Sequence, residues 1–167
     1  IKNIPSSFRD PSGFLFQKQD DIYRQINCQY QENYDHLIDS GLYQALTEAE
    51  LLIPHKEVHK EHAISEIAYK VIMPEIIPFI SYPYEWSFSQ LKDAALTTLE
   101  TQKKAIAFGM SLKDASAYNI QFHNGKPILI DTLSFEKYIE NSPWVAYRQF
   151  CQHFLAPLAL MSFKDIR

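Results

Sequence analysis

The chain has 167 residues, 46% of them hydrophobic and 22% charged, with a net charge of −4. That balance is ordinary for a globular protein, and without a basic excess to displace counterions no nucleic-acid partner is expected. The four glycines, Gly13, Gly41, Gly109 and Gly125, stand apart from one another, which excludes the closely spaced glycines of dinucleotide-binding and Walker-type phosphate loops.

The first predicted element is a hairpin from Gly13 to Ile26, turning at the polar run Lys18-Gln19-Asp20-Asp21. Tyr30 to Ile53 reads as helix, with one apolar stripe at Tyr34, Leu37 and Ile38 and a second at Leu42, Ala45, Leu46, Ala49 and Leu52. Gly41 interrupts the two stripes and Pro54 ends the helix. His55 to Glu66 is polar and ambiguous. Tyr69 to Met73 and Ile76 to Ser81 read as two short buried strands, followed by an aromatic link from Tyr82 to Trp86.

Ser87 and Gln90 form a capping-box signature at the head of the clearest helix. Phe88, Leu91, Ala95, Leu99, Gln102 and Ile106 recur there at helical spacing, and Gly109 supplies the stop. Met110 to Asn119 reads as an irregular loop. Ile120-Gln121-Phe122 and Ile128-Leu129-Ile130 are strands around an Asn124-Gly125 turn. Ser142-Pro143 is expected to cap a last helix that Pro157 kinks or ends.

The high aromatic share, 14%, is read mainly as a core built from rings. No apolar run approaches the roughly 20 residues a membrane-spanning helix needs, so no membrane partner is expected. Two cysteines, Cys28 and Cys151, make no disulfide framework, and a cytoplasmic location is expected. The chain opens on Ile1 rather than Met and stops after an apolar helical pattern; it is expected to be a piece of a longer protein.

The chemistry concentrates in Lys113-Asp114 through Asn119, followed by the tight hairpin and Asp131. A short hairpin brings the start of its first strand beside the end of its second, so Asn119 and Asp131 should lie within reach of each other. Hard oxygen donors of this kind suit Mg²⁺, and Asp114 is left to orient or deprotonate a hydroxyl. The alternative is loop capping by short polar side chains. His55, His59 and His62 could line one face if that segment were helical and hold Zn²⁺ or Ni²⁺; a solvated polar segment is the plainer expectation.

This layout resembles the protein-kinase catalytic loop, D-x-x-x-x-N followed by a metal-binding Asp. The order of elements around it resembles that fold more widely, and it looks most like the small-molecule branch, the aminoglycoside phosphotransferases and their relatives. The resemblance implies an α+β, protein-kinase-like fold. A small N-lobe sheet with a helix would occupy residues 1–85, and the start of an incomplete helical C-lobe residues 86–167. It also implies Asp114 as catalytic base, Asn119 and Asp131 as Mg²⁺ ligands, Tyr82 and Tyr84 stacking on an adenine, and ATP and Mg²⁺ as cofactors for an unknown small molecule.

The chain departs from that pattern in places. Leu112 stands where kinases usually carry the catalytic-loop His, Thr132-Leu133 follow Asp131 without a glycine, and lone Gly13 replaces a glycine-rich loop. Lys56 and Lys70, with Glu61 or Glu66 as partner, are both open as the phosphate-holding lysine.

A second resemblance spans the whole chain. Phe79 to Trp86, Ser89 to Ala95 and Leu112 to Phe122 look like the N-terminal region of bacterial S-adenosylmethionine-dependent methyltransferases, some of them nodulation-related. In such proteins the methyltransferase domain lies downstream and alone holds S-adenosylmethionine; that domain would be this chain's partner within one polypeptide. Three functions follow: a kinase-like accessory domain without catalysis of its own, an active small-molecule phosphotransferase, or a plain α+β interaction domain.

Overall fold

The computed structural model describes residues 2–3 and 10–164. They fall into two compact units, residues 1–36 with 54–76, and residues 37–53 with 77–167.

The first unit is built on an antiparallel sheet. β1 (Lys2–Asn3), β2 (Gly13–Lys18), β3 (Asp21–Asn27), β4 (His55–Val58) and β5 (Ala68–Pro74) lie in the order β1-β2-β3-β5-β4. The β2–β3 hairpin runs in register from Gly13↔Ile26 to Lys18↔Asp21, so its turn is Gln19-Asp20. One sheet face packs Phe16, Tyr23 and Val71 under Val58, Ala63 and Ile64. Gln25, fully buried on β3, fastens that cover. Its Oε1 accepts from the Ile64 and Ser65 amides at 2.9 and 3.2 Å, and its Nε2 donates to Ser65 Oγ and Asn27 Oδ1. α1 (Gln31–Asp39) follows β3.

The second unit carries α2 (Leu42–Glu48) and the long α3 (Phe88–Ala107), which opens on the expected box: Ser87 Oγ accepts from Gln90 N, and Gln90 Oε1 accepts from Ser87 N. β6 (Met110–Leu112) pairs with β9 (Phe135–Lys137), and β7 (Ile120–His123) with β8 (Lys126–Leu129). Asn124 and Gly125 turn the latter hairpin with φ of 51° and 79°, the pair of left-handed residues that a type I′ turn requires. The unit closes on α4 (Tyr147–Phe150), a π-turn (Cys151–Leu155) and α5 (Ala156–Phe163). Its core joins Leu42, Leu46, Leu91, Leu112, Phe135 and Phe154.

Several sequence expectations are corrected. Residues 76–81 form no strand. α2 stops at Glu48, well before Pro54. Leu52 instead pairs in parallel with Leu129, Ile53 N donating to Leu129 O at 2.8 Å, so apolar residues that continued a helical stripe serve a strand-like bridge. The buried face of α3 is Leu91, Ala94, Ala95, Thr98, Thr101, Gln102 and Ala105, while Leu99 and Ile106 stand 42% and 45% exposed. Ser142 bonds back to Ile139 in a turn and does not cap the last helix. Pro157 lies in the first turn of α5, where its missing N–H costs nothing; the π-turn before it absorbs the break. The predicted loop of residues 110–119 starts as β6 and ends in a 3₁₀ turn, Ala117–Asn119.

Candidate functional site

The loop between β6 and β7 is held at most of its backbone amides. Gln102, buried on α3, accepts from Leu112 N at 2.7 Å, and Trp144 Nε1 donates to Leu112 O at 2.7 Å. Lys113 N donates to Ser134 O at 2.8 Å. Gln149 Oε1 accepts from Ala115 N at 2.7 Å, and His153 Nδ1 from Ala117 N at 3.2 Å. Ser116 Oγ lies 3.3 Å from the same His153 nitrogen. Because Nδ1 accepts from a backbone amide, His153 is assigned as the neutral imidazole with its proton on Nε2.

Within this frame Asp114 acts as a cap. Its Oδ1 accepts from Ser116 N at 2.9 Å, and Ser116 Oγ accepts from Tyr118 N at 3.2 Å. The β7–β8 ladder is extended by Ile130 N donating to Asn119 O at 2.8 Å. Asn119 and Asp131 then meet on one fully buried hydroxyl: Asn119 Nδ2 donates to Ser134 Oγ at 3.2 Å, and Ser134 Oγ donates to Asp131 Oδ2 at 2.7 Å. Asp131 Oδ1 accepts from Leu133 N at 3.1 Å. The donor types suit a hard cation, but both Asp131 oxygens already serve the 131–134 turn. Among the described residues no group of three or more His, Cys, Asp or Glu is placed to hold a metal.

Tyr82 and Tyr84 stack on each other, 5.5 Å between ring centroids and 3° apart in plane, and both are exposed. Tyr84 lies in a 3₁₀ turn, Pro83–Glu85, which Tyr82 precedes as its cap and Glu85 closes by accepting from Tyr82 N. The link carrying them is fixed by Gln121 on β7, whose amide accepts from Ser81 N at 3.0 Å and donates to Ser81 O at 2.9 Å. Trp86 Nε1 adds a bond to Ser81 Oγ, and its ring meets Phe122 edge-on at 5.3 Å.

In the first unit, Lys70 of β5 pairs through both oxygens with Glu57 of β4 at 2.8 Å, so neither Glu61 nor Glu66 is the partner of that pair. Tyr34 OH donates to Glu57 Oε1 at 3.0 Å and lies 3.0 Å from His55 Nε2. The hydroxyl's single proton goes to Glu57, so His55 Nε2–H donates to the hydroxyl. Burial, reinforced by Arg24 and Lys70 and opposed by Glu57, pushes His55 down to about 4. His62 instead stacks on Tyr23 at 5.0 Å, and β4 followed by a 3₁₀ turn replaces the helix that a three-histidine face would need.

Arg24 on β3 escaped the sequence reading. Kinases carry their phosphate-holding Lys on the third strand, and the cation of that strand here is an arginine. Burial pushes its guanidinium down to about 10, with Asp10 and Tyr30 acting in the other direction. The signal was present in the sequence as the one cation of a short strand that leads through a 3₁₀ turn into a helix.

These units define a protein-kinase-like fold: vaccinia related kinase 3 matches with a TM-score of 0.51 and 12% identity, over 88% of this chain and 54% of that one. In sequence the chain is similar to Nodulation protein NoeA of Rhizobium meliloti (strain 1021), 36% identical over 170 residues that take in 98% of this chain. The chain spans 34% of that relative's length. No family model matches. No described helix is long and apolar enough to cross a membrane.

Proposed function

We propose that the chain is a kinase-like accessory domain of a longer bacterial protein and does not itself transfer phosphoryl groups. One observation carries this reading: the polar side chains of the candidate catalytic loop already serve the local fold. Asp114 caps its own turn, both Asp131 oxygens close the 131–134 turn, and the Asn119 amide nitrogen is tied to Ser134. A cation that displaced the Asn119 and Asp131 bonds to Ser134 would strand that buried hydroxyl, at a cost of about 1–3 kcal/mol. The activity of the parent protein would come from a downstream methyltransferase domain that binds S-adenosylmethionine, as the second sequence resemblance implies; the one-third span supports only a longer parent.

The second reading is an active phosphotransferase, favoured by the convergence of Asn119 and Asp131 on a single hydroxyl. In that reading Asp131 and Asn119 would hold Mg²⁺, Asp114 would take the substrate's proton, and Tyr82 and Tyr84 would flank an adenine. Titration of the chain with Mg·ATP, followed by thermal unfolding, separates the two. The accessory reading expects no shift at millimolar nucleotide. A shift that Asp131→Ala abolishes would establish the phosphotransferase instead.

A further inference from the structure

α3 presents two stripes. The inner one, Leu91 to Ala105, is buried in the second unit. The outer one, Lys92, Leu96, Leu99, Lys103 and Ile106, advances by four, three, four and three residues. That spacing keeps a single line along a helix and lies about a third of a turn round from the inner stripe. Leu96 is 56% exposed, and Leu99 and Ile106 are also open to solvent. The alternation of four and three is the seam that a second helix packs against.

The seam continues past the helix end. Ile106 lines a cavity of about 330 Å³ with Tyr138, Ile139, Trp144 and Val145, and Ile139 and Val145 are among the most exposed apolar residues of the chain. Lys92 and Lys103, both exposed, sit in the seam itself. Among the described residues neither has an ion-pair partner. Two cations within an apolar line favour a partner that brings carboxylates to the same depth.

We propose that this outer stripe of α3 seats an amphipathic, acidic helix contributed by the same polypeptide from outside residues 1–167. It rests on the accessory-domain reading. Two observations select that occupant: the unpaired lysines call for carboxylates, and the chain spans only 34% of its sequence relative, which leaves ample further sequence in a protein of that kind. The seated helix would cover Leu96, Leu99 and Ile106 and place an Asp or Glu beside each lysine.

Zero-length carbodiimide cross-linking of the longer natural polypeptide, mapped by mass spectrometry, tests this. The exposed Lys126–Glu50 ion pair serves as internal control. The proposal expects amides joining Lys92 and Lys103 to Asp or Glu residues outside residues 1–167. In a mixture of isotopically light and heavy protein they should form within one chain. The double variant Leu99→Lys, Ile106→Lys, whose sites are exposed here, should lose both amides and keep the control. Absence of the amides, amides confined to residues 1–167, or light–heavy amides from a second copy would overturn it. Nucleotide binding would overturn the accessory reading separately, without touching this result.

Discussion

His55 makes the folded first unit sensitive to acid. In the unfolded chain an imidazole titrates near 6.5, whereas in the fold burial brings His55 to about 4. A group whose folded pKa is depressed contributes stability that is present above the unfolded value and is lost as pH falls towards the folded one. Here the window is roughly pH 6.5 to 4. Linkage gives a loss of about 2 kcal/mol at pH 5 and about 3 kcal/mol at pH 4 relative to pH 7. The proton has to go onto buried Nδ1, because Nε2–H is committed to Tyr34 OH, and Arg24 and Lys70 oppose it there while Glu57 favours it. Urea unfolding at pH 7, 5.5 and 4.5 should be compared between the wild type and His55→Gln, whose amide still reaches towards Tyr34 but does not titrate. Carboxylates contribute equally to both proteins, so the difference isolates His55. The gap between them should narrow by about 2 kcal/mol across that range. Parallel pH profiles would refute the reasoning, as would an imidazole that titrates near 6.5 by NMR.

Three further outcomes follow from the packing. Gln102→Ala strands Leu112 N and Ser111 Oγ in the core and should cost about 2–4 kcal/mol in denaturant unfolding. Gln25→Ala removes the acceptor that the Ile64 and Ser65 amides share, so those two amides should exchange with deuterium much faster while the β2–β3 ladder stays protected. Gly125→Ala meets no atom within 4 Å, but the residue has φ +79°; its cost should be the backbone preference alone, about 1 kcal/mol, measured as a small drop in melting temperature.

What could be read from the sequence was local. The Asn124-Gly125 turn and the Ser87/Gln90 box are settled by residues a few positions apart, and both stand as expected. Their neighbours were harder because tertiary pairing decided them. Leu52 left a helical stripe to bridge Leu129, and the short buried strand expected at residues 76–81 gave way to a link pinned sideways by Gln121. Three buried glutamines fasten loops: Gln25 in the first unit, and Gln102 and Gln121 around the site in the second. A glutamine in an apolar stripe carries no motif, and all but one of the partners of these three lie 9 to 40 residues away. The D-x-x-x-x-N spacing located the loop. What it could not disclose was that Ser134 would take up both Asn119 and Asp131, or that Gln149 and His153 would hold the loop's amides from the last helical segment.

The central claim, a kinase-like fold whose candidate catalytic groups are committed to structure, is tested most directly by calorimetric titration of the chain with ATP in the presence of Mg²⁺. The account predicts no saturable heat at millimolar nucleotide and the same result for Asp131→Ala. Saturable, Mg²⁺-dependent binding that Asp131→Ala removes would contradict it.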